Sequence, residues 1–328
     1  MTAIRDRLRL QPPFHMIARG GFGRVYRCDA WRNDVAGPKQ VVAVQVVHKY
    51  EGGLQDAAIV RKEIENLLVV SGHRCIVKLL SWMETTFDVQ MVFPFYQEDV
   101  SLAIERGLFR LQRGSRDRVG LACGQLLDAI SYVHSKSIVH RDIKPSNMLL
   151  AAVGADADQE FTVVLGDFGS STKRTVGITQ PPTRSSPPTT WHYLAPELFL
   201  LGAVCDLSSD IWALGVSIVQ MDLSHVPFGP PHASGRTELG LIFLEAVRSV
   251  TTWVPGYRVD VAAILKRKAE GAKLLQTLTM KHPRSLLWGR ERGPEFQELT
   301  CGFLHIDRWH RPKAEELVAR GKALGVFS

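Results

Sequence analysis

The stretch HRDIKPSN at 140–147 gathers three side chains that could together move a phosphoryl group. Asp142 supplies a carboxylate, Lys144 an ammonium and Asn147 an amide oxygen. Phosphoryl transfer needs these parts: a base for the attacking hydroxyl, positive charge opposite the developing negative charge, and oxygen ligands for a divalent cation. Pro145 prevents the segment from continuing as a helix, so we predict a loop here.

A further carboxylate, Asp167, follows 20 residues after Asn147 in the segment LGDFG. The apolar run VVL before it predicts a strand, and a carboxylate at a strand end beside glycine is well placed to hold a divalent cation. The glycine-rich segment IARGGFGRV at 17–25 could let the backbone approach a phosphate closely. Taken alone, that segment is more often a tight hairpin.

Around these stretches the hydrophobic pattern predicts a strand-rich front and a helix-rich back. Alternating or β-branched apolar residues predict strands at 14–28, 39–49 and 89–95. Apolar residues at helical spacing predict helices at 54–70, 119–135, 208–221, 296–306 and 313–324. Residues 170–190 hold ten Ser or Thr and four Pro, which predicts a loop. The chain therefore divides into two unequal lobes.

The composition is typical of a soluble globular protein, with 45% hydrophobic and 22% charged residues among 328. A net charge of +7 favours acidic partners such as nucleotide phosphates, nucleic acid or an acidic protein surface. Five dispersed cysteines without a CxxC pair argue against a zinc ribbon and indicate reduced thiols. Because we find neither a secretory signal nor a run of ~18 apolar residues, we expect a cytoplasmic or nuclear protein without a membrane partner.

In their order along the chain, these motifs resemble those of the eukaryotic protein kinase family. Besides the glycine segment and HRDIKPSN, the matches are RKEI at 61–64, DFG at 167–169, APE at 195–197, SDIWALG at 209–215 and the arginine of HRP at 310–312. HRDIKPSN is similar to the serine/threonine branch, and IVKLLSW, VFPFYQED and APELFLLG are similar to segments of cyclin-dependent kinases. The resemblance implies an α+β, bilobal fold. It would have an extension at 1–13 and a kinase domain at 14–325, with a β-rich N-lobe (14–96) and a larger, mostly helical C-lobe (97–325).

The resemblance implies an ATP-dependent protein serine/threonine kinase that transfers the γ-phosphate of Mg-ATP to protein Ser or Thr. Asp142 would be the catalytic base that orients the substrate hydroxyl, and Lys144 would stabilise the transferring phosphoryl group. Asn147 and Asp167 would hold Mg²⁺ between the phosphates.

The residues around the nucleotide are implied by the same resemblance. Phe93 would lie behind the adenine, while the carbonyl of Pro94 and the amide of Tyr96 would hydrogen-bond its edge. The other residues implied at the nucleotide are Ala18, Gly20, Gly23, Val25, Ala43, Gln45, Glu63 and Leu149.

The main departure from the family pattern is Gln45, which stands where the family has a lysine that pairs with a helix carboxylate. Glu63 is the candidate carboxylate, because Ile59, Glu63 and Leu67 share one helix face and Glu65 does not. A neutral amide in place of an ammonium should cost roughly 1.5–3 kcal/mol, or about 10- to 150-fold in rate. Two functions therefore stay open: a kinase of reduced or compensated activity, and a pseudokinase that is a nucleotide- or partner-binding scaffold.

Other cations could compensate, and two further positions depart from the pattern. Lys49 is on the strand face of the missing lysine, but about 13 Å along the strand. Arg19 or Arg24 could reach the phosphates if folded inward, although arginine side chains more often lie at the surface. Ala18 replaces the family's first glycine. Leu194 replaces the arginine usual before APE in cyclin-dependent kinases, which leaves a proline-directed preference undecided.

The 170–190 loop would be the activation segment. Arg141, directly before the predicted base, marks the type of kinase that often orders this loop with a phosphate. The candidate acceptors are Thr183, Ser185 and Ser186, and the alternative is an unmodified Ser/Pro loop.

The remaining motifs imply structural roles and partners. Glu197 and Arg311 would form a buried pair, Asp210 would brace the catalytic loop, and Thr190 would face the substrate site. The expected partner is a protein substrate, with a cyclin-like regulatory subunit left open. A nucleic-acid-binding function is a weaker third possibility, because no recognition module or basic-aromatic stripe supports it.

Overall fold

The N-terminal part of the molecule is an antiparallel sheet with one helix. The structure, a computed structural model, describes residues 8–20, 23–32, 39–49, 54–111, 117–151, 161–174, 191–195, 197–198, 205–227, 292–305 and 308–327. The strands are β1 (Leu8–Gly20), β2 (Gly23–Arg32), β3 (Gln40–His48), β4 (Ser81–Glu84) and β5 (Asp88–Pro94). Their order in the sheet is β1-β2-β3-β5-β4. Helix α1 (Leu54–Val70) lies between β3 and β4 in sequence and packs against β3 and β5.

The C-terminal part is mainly helical. Its described helices are α2 (Val100–Glu105), α3 (Arg118–Ser135), α4 (Leu207–Leu223), α5 (Pro294–Phe303) and α6 (Ala314–Ala323). Two short ladders pair β6 (Ile138–Val139) with β9 (Thr172–Lys173), and β7 (Met148–Ala151) with β8 (Thr162–Leu165). Helix α3 is central, since it packs against α4, α6 and β8.

Aspartates fix where the two longest described helices of this part begin. The carboxylate of Asp117 accepts hydrogen bonds from the amides of Val119 and Gly120 at the start of α3. Asp206 closes a capping box with Ser209 at the start of α4. Each cap satisfies amides that have no partner within the helix, so both helices begin at defined residues.

Two hydrophobic cores lie on opposite faces of the sheet. The larger runs from α1 and one face of β3 and β5 down through α3 to α4, α5 and α6. The smaller lies on the other face and is built by Cys28, Ala30, Val42, Val44 and Val92, with Leu8, Leu10, Val46 and Leu80 packed against it. The face of the sheet that meets α1 therefore faces the helical part.

The sequence prediction of an α+β, bilobal fold is confirmed, and the predicted helices and the strands predicted at 39–49 and 89–95 match described elements within a few residues. The stretch predicted as strand at 14–28 contains parts of two antiparallel strands, β1 and β2. Two further details differ. β1 begins at Leu8, so residues 8–13 of the predicted extension are strand, because Leu8–Gln11 pair with Asp29–Arg32. The predicted loop at 170–190 contains the short strand β9, which pairs with β6.

Candidate active site

The loop between β6 and β7 brings Asp142, Lys144 and Asn147 into direct contact. The ammonium of Lys144 lies 2.8 Å from Oδ2 of Asp142. The amide nitrogen of Asn147 donates to the same Oδ2 at 2.9 Å and to the backbone carbonyl of Asp142 at 2.8 Å. Both donors hold the carboxylate in one orientation, and Asn147 itself is largely buried. The three side chains predicted from HRDIKPSN therefore form one unit.

Asp210, a buried residue in the first turn of helix α4, fixes the conformation of this loop. Its carboxylate accepts hydrogen bonds from the backbone amides of His140 at 2.8 Å and Arg141 at 2.9 Å. Nε2 of His134, in the last turn of α3, lies 3.0 Å from Oδ2 of Asp210. Arg141 has a φ of +73°, a conformation that costs about 1–3 kcal/mol and persists where surrounding contacts impose it. Asp210 thus braces the catalytic loop, as expected from the sequence.

Asp167 follows β8 and faces the same loop. Its φ is +55°, the amide of Gly169 donates to its Oδ1 at 3.2 Å, and the neighbouring Gly166 amide donates to the Asn147 carbonyl at 2.8 Å. Burial raises the pKa of the Asp167 carboxyl, and the nearby charge of Asp142 raises it further. The two loops are therefore joined, and they bring two carboxylates into one poorly solvated place.

His140 connects these loops and was not singled out from the sequence. Its Nε2 lies 3.0 Å from the carbonyl of Gly166, so this nitrogen carries the proton and donates. Its Nδ1 then accepts from the amide of Asp142 at 3.4 Å. The ring also packs edge-on against Phe168, with ring centroids 4.7 Å apart. The only sequence signal was its place beside Asp142.

The donor set at this place fits Mg²⁺. Asp167 and Asn147 offer a carboxylate and an amide, the oxygen ligands that Mg²⁺ takes, and burial together with Asp142 disfavours the negative charge at Asp167 while no cation is bound. Within the described ranges, no group of three or more His, Cys, Asp or Glu side chains could hold a metal ion. Mg²⁺ at this place would therefore take further ligands from phosphate oxygens and water, as it commonly does.

Five of the residues predicted at the nucleotide lie on one face of the sheet. Ala18 pairs with Val25, and Val25 pairs with Gln45. Ala43 pairs with Phe93. Residues directly opposite in antiparallel strands share a face, as do residues two apart, so these five positions look towards the same side of the sheet.

The hairpin tip depends on Gly23. Its φ is +114°, and a Cβ there would lie 2.3 Å from the carbonyl oxygen of Val46, so another side chain at this position would be strained. Gly20 pairs with Gly23, while Gly21 and Phe22 lie outside the described residues. The backbone of β2 therefore lies directly against β3 here.

The two arginines of the glycine segment lie on the other face of the hairpin. Arg19 pairs with Arg24, and Arg24 pairs with Val46, one residue along from the Val25–Gln45 pair. Val46 packs against the smaller core on the far side of the sheet. Because side chains alternate along a strand, this register directs Arg19 and Arg24 away from the face of Gln45.

Phe93, Pro94 and Tyr96 connect the sheet to the helical part and are all half-buried. The chain is tied to β3 here, because the amide of Phe95 donates to the carbonyl of Val41 at 3.3 Å. Within the described part of the chain, no backbone acceptor engages the amide of Tyr96. That donor is therefore available to a ligand such as the adenine edge.

Leu149 lies in β7 below this connection, next to the Asp167 loop. It bridges to Asp99, and its side chain is the nearest neighbour of Gly166. The sequence-predicted lining residues thus come from the sheet, from the connection and from the strand beside the Asp167 loop. Their contacts with a nucleotide stay predictions.

Glu63 of α1 is buried, with 3% of its surface exposed, whereas Glu65 is exposed, as the helical spacing predicts. Burial, and then the charge of Asp167, raises the pKa of the Glu63 carboxyl to about 8. In the described part of the chain no hydrogen bond or ion pair joins this carboxylate to a cation. At neutral pH Glu63 is therefore mainly protonated in the unliganded protein.

Two other residues of α1, neither singled out from the sequence, bind the segment that follows Asp167. Nδ2 of Asn66 donates to Oγ of Ser171 at 2.8 Å, and Lys62 donates to Oγ1 of Thr172 at 2.8 Å. Asn66 is three residues after Glu63, so its buried polar side chain on the same helix face was the available signal.

Glu197 and Arg311 form the predicted buried pair. The guanidinium contacts both carboxylate oxygens, at 2.9 and 3.1 Å, and also donates to the carbonyls of Ser208 and His305. It packs over the ring of Trp212. The candidate phosphate acceptors Thr183, Ser185 and Ser186, and Thr190 of the predicted substrate site, lie outside the described residues.

Comparison with known proteins agrees with this geometry. The family profile described as "Protein kinase domain" matches residues 14–321. The chain is 29% identical over 277 residues to Serine/threonine-protein kinase 10-A of Xenopus laevis, covering 81% of this chain and 26% of that protein. It is 30% identical over 225 residues to Serine/threonine-protein kinase 10 of Mus musculus, covering 66% and 20%. It is also 30% identical over 225 residues to the Probable CTD kinase subunit alpha homolog of Encephalitozoon cuniculi (strain GB-M1), covering 68% and 59%.

The chain thus spans about a quarter or less of the length of the first two relatives. Among the helices that the structure describes, none has both the length and the apolar character that a membrane span requires.

Proposed function

The chain belongs to the protein kinase family, and from this premise we propose that it transfers the γ-phosphate of Mg-ATP to serine or threonine hydroxyls of protein substrates. The observation that carries the proposal is the junction of Asp142, Lys144 and Asn147 in one hydrogen-bonded unit facing Asp167. Polar side chains in an ordinary surface turn would not require their loop to be held by a buried carboxylate, as Asp210 holds this loop. The serine/threonine preference is supported by HRDIKPSN and by the names of the relatives.

Each side chain has a role that follows from its position. Asp142 orients the substrate hydroxyl and accepts its proton. Lys144, whose ammonium lies 2.8 Å from the Asp142 carboxylate, offsets negative charge on the transferring phosphoryl group. Asn147 and Asp167 would hold Mg²⁺, which when bound neutralises phosphate charge. The contribution of these residues is positioning and electrostatics, so the fixed loop geometry matters more than unusual reactivity.

The level of activity depends on Gln45. We propose that activity is reduced, because described cations that could replace the missing lysine are engaged elsewhere or face away. Lys49 contacts Glu84 and the carbonyl of Thr85, and Arg19 and Arg24 are on the opposite face. Loss of one charge-assisted bond corresponds to about 10- to 150-fold in rate.

A second candidate function is a pseudokinase that binds nucleotide or a partner protein. The observation that favours it is the buried Glu63, which no cation of the described residues contacts, opposite a sheet face that carries Gln45. In this case the cleft binds ATP but turns it over too slowly to matter.

Phosphorylation of the activation segment is a further part of the proposal. Lys62 and Arg141 lie close together beside β9, and the pKa of Lys62 is lowered by burial and then by the charge of Arg141. An anion between them would relieve this repulsion. A phosphate on Thr183, Ser185 or Ser186 is the candidate.

A protein substrate follows from the proposed reaction. The relative from Encephalitozoon cuniculi is named as a kinase subunit, and we include a cyclin-like regulatory partner in the proposal on that support alone.

The experiment is a radiolabelled ATP assay with Mg²⁺ and a generic protein substrate, with Asp142→Asn as the control. Transfer that disappears in the control supports the kinase. Transfer that persists in the control would come from a contaminant. Thermal stabilisation by Mg-ATP without any transfer would support the scaffold.

A further inference from the structure

Among the described residues no cation contacts Glu63, so other contacts must set the position of helix α1. Its apolar face, with Val60, Ile64 and Leu67, packs into the larger core. Apolar packing resists separation but specifies rotation and sliding poorly, whereas directional bonds fix them. The polar contacts of α1 are therefore the ones that can fix its orientation.

The outer side of α1 is joined to the end of β4 by a bidentate ion pair. Nε of Arg61 lies 3.1 Å from Oε2 of Glu84, and Nη2 lies 2.5 Å from Oε1. The ammonium of Lys49, just beyond β3, lies 2.8 Å from the same Oε1 and donates to the carbonyl of Thr85 at 2.5 Å. One carboxylate thus ties together the helix, the end of β3 and the turn after β4.

This cluster differs from an isolated surface ion pair, which contributes little to stability. The Glu84 and Lys49 side chains are 23% and 19% exposed, and only Arg61, at 56%, is open to water. Both carboxylate oxygens are used, and two cations share them. Bidentate geometry and a network are the conditions under which such pairs restrict position.

The cluster is charged throughout the neutral range. Hydrogen bonds from Arg61 and Lys49 lower the pKa of the Glu84 carboxyl to about 2. A lowered carboxyl pKa stabilises the fold above the ordinary value of about 4.5, and this stabilisation is lost only as the pH falls towards 2. Salt, rather than pH, is therefore the condition that weakens it.

The opposite side of α1 reaches the segment that follows Asp167. Asn66 binds Ser171, whose hydroxyl donates to the carbonyl of Phe168 at 2.6 Å, next to Asp167. Lys62 binds Thr172 in the same segment. A shift of α1 would therefore be passed to the segment that positions Asp167.

We propose that Glu84 is a positioning residue for phosphoryl transfer, which holds α1 in place through Arg61 and Lys49. The charged anchor of the helix is thus at its outer edge. The family pattern would instead place the charged anchor at Glu63, inside the cleft. The effect of Glu84 on the rate of phosphoryl transfer rests on the proposed kinase function. Its effect on the helix can be measured without any activity.

The experiment compares Glu84→Gln and Arg61→Gln, their double variant, and Glu84→Asp as the conservative variant. The matched control is Glu65→Gln, which removes one exposed carboxylate from the same helix outside the cluster. We measure kcat and KM for ATP, hydrogen exchange of amides 58–70, and urea unfolding. We expect Glu84→Gln to lower kcat about ten-fold with KM for ATP within two-fold of wild type, and to speed exchange in α1 more than in α3.

Two results identify positioning rather than general stability. Glu84→Asp should recover part of kcat, and the double variant should be no worse than Glu84→Gln alone, because both remove the same contact. In 0.5 M salt the wild-type exchange in α1 should approach that of Glu84→Gln, while the variant changes little.

The proposal is overturned if Glu84→Gln and Arg61→Gln match Glu65→Gln in α1 exchange and kcat. It is also overturned if exchange rises equally in all helices, which would indicate a structural role only. A wild-type protein without phosphoryl transfer would contradict the proposed function, while the exchange measurements would still decide the role of Glu84. Arg61→Gln keeps the test decisive if Glu84→Gln fails to fold, because Arg61 is largely exposed.

Discussion

Glu63 shows how burial, together with a neighbouring carboxylate, can set the protonation state of a carboxyl group. In the unfolded chain it loses its proton near pH 4.5, whereas in the folded protein burial keeps the proton until about pH 8. Between these values the unfolded state binds fewer protons, so the free energy of unfolding falls as the pH rises. The fold therefore carries a cost at neutral pH that a cation beside Glu63 would remove.

We predict that Glu63→Gln stabilises the unliganded protein at pH 7 by about 3 kcal/mol and has little effect near pH 4.5. The amide keeps the shape of the protonated acid without a titrating proton. The measurement is urea unfolding in EDTA at both pH values, with the exposed Glu65→Gln as control. Destabilisation by Glu63→Gln at pH 7 would contradict the prediction and indicate an ionised, partnered Glu63.

Gln45→Lys is predicted to raise kcat about ten-fold or more, since it restores a charge that stabilises the phosphates, worth roughly 1.5–3 kcal/mol. The register places the new ammonium on the face shared with Ala43 and Val25. The measurement is kcat at saturating Mg-ATP, and Gln40→Lys on an exposed part of the same strand is the control. An unchanged or lower kcat would mean that another cation already serves the phosphates.

At the scale of elements, glycines allow a tight junction between α3 and α6. Phe327, 8% exposed, fills the space beside Gly124 of α3 and Gly321 of α6. A Cβ at Gly124 would lie 2.8 Å from the ring, and one at Gly321 would lie 2.1 Å from it. The absence of side chains at these two positions is what admits an aromatic ring between the helices.

Phe327→Ala is predicted to lower the free energy of unfolding by about 3–5 kcal/mol, the usual range for emptying a buried aromatic site. Urea unfolding measures the change. The control is Phe87→Ala, in which a phenylalanine that is 67% exposed is removed, and we expect a change within about 0.5 kcal/mol there. Equal effects of the two substitutions would show that the ring does not bridge α3 and α6.

At the scale of the whole molecule, the Glu197–Arg311 pair links segments that are 114 residues apart. The contacts of the guanidinium with two backbone carbonyls and the ring of Trp212 mean that removing either partner leaves buried polar groups unsatisfied. The pair therefore fixes how the segment before α6 meets α4.

Arg311→Met is predicted to destabilise the protein by about 3–5 kcal/mol, because it leaves the Glu197 carboxylate buried without a cation. The double variant Arg311→Met with Glu197→Gln should recover part of this loss, since no buried charge remains. Thermal and urea unfolding of the three proteins provide the comparison. A double variant less stable than Arg311→Met would contradict the argument.

Much of this architecture could be predicted from the sequence because its signals are local. The valines of β3, the spacing of α1 and the ordered motifs predicted the lobes and the joined loop of Asp142 and Asn147. The roles of Glu84, Asn66 and His140 could not be predicted in this way. Each depends on a partner far along the chain, as Asn66 and Ser171 do at a separation of 105 residues, and no periodicity reports such a contact.

The smaller core on the outer face of the sheet has a practical consequence. Leu8 and Leu10 cover Cys28, Val42 and their neighbours, yet both precede residue 14, where the family match begins. A truncated protein made to that boundary would expose this apolar surface to water and would aggregate. Expression of the domain in soluble form should therefore start upstream of Leu8.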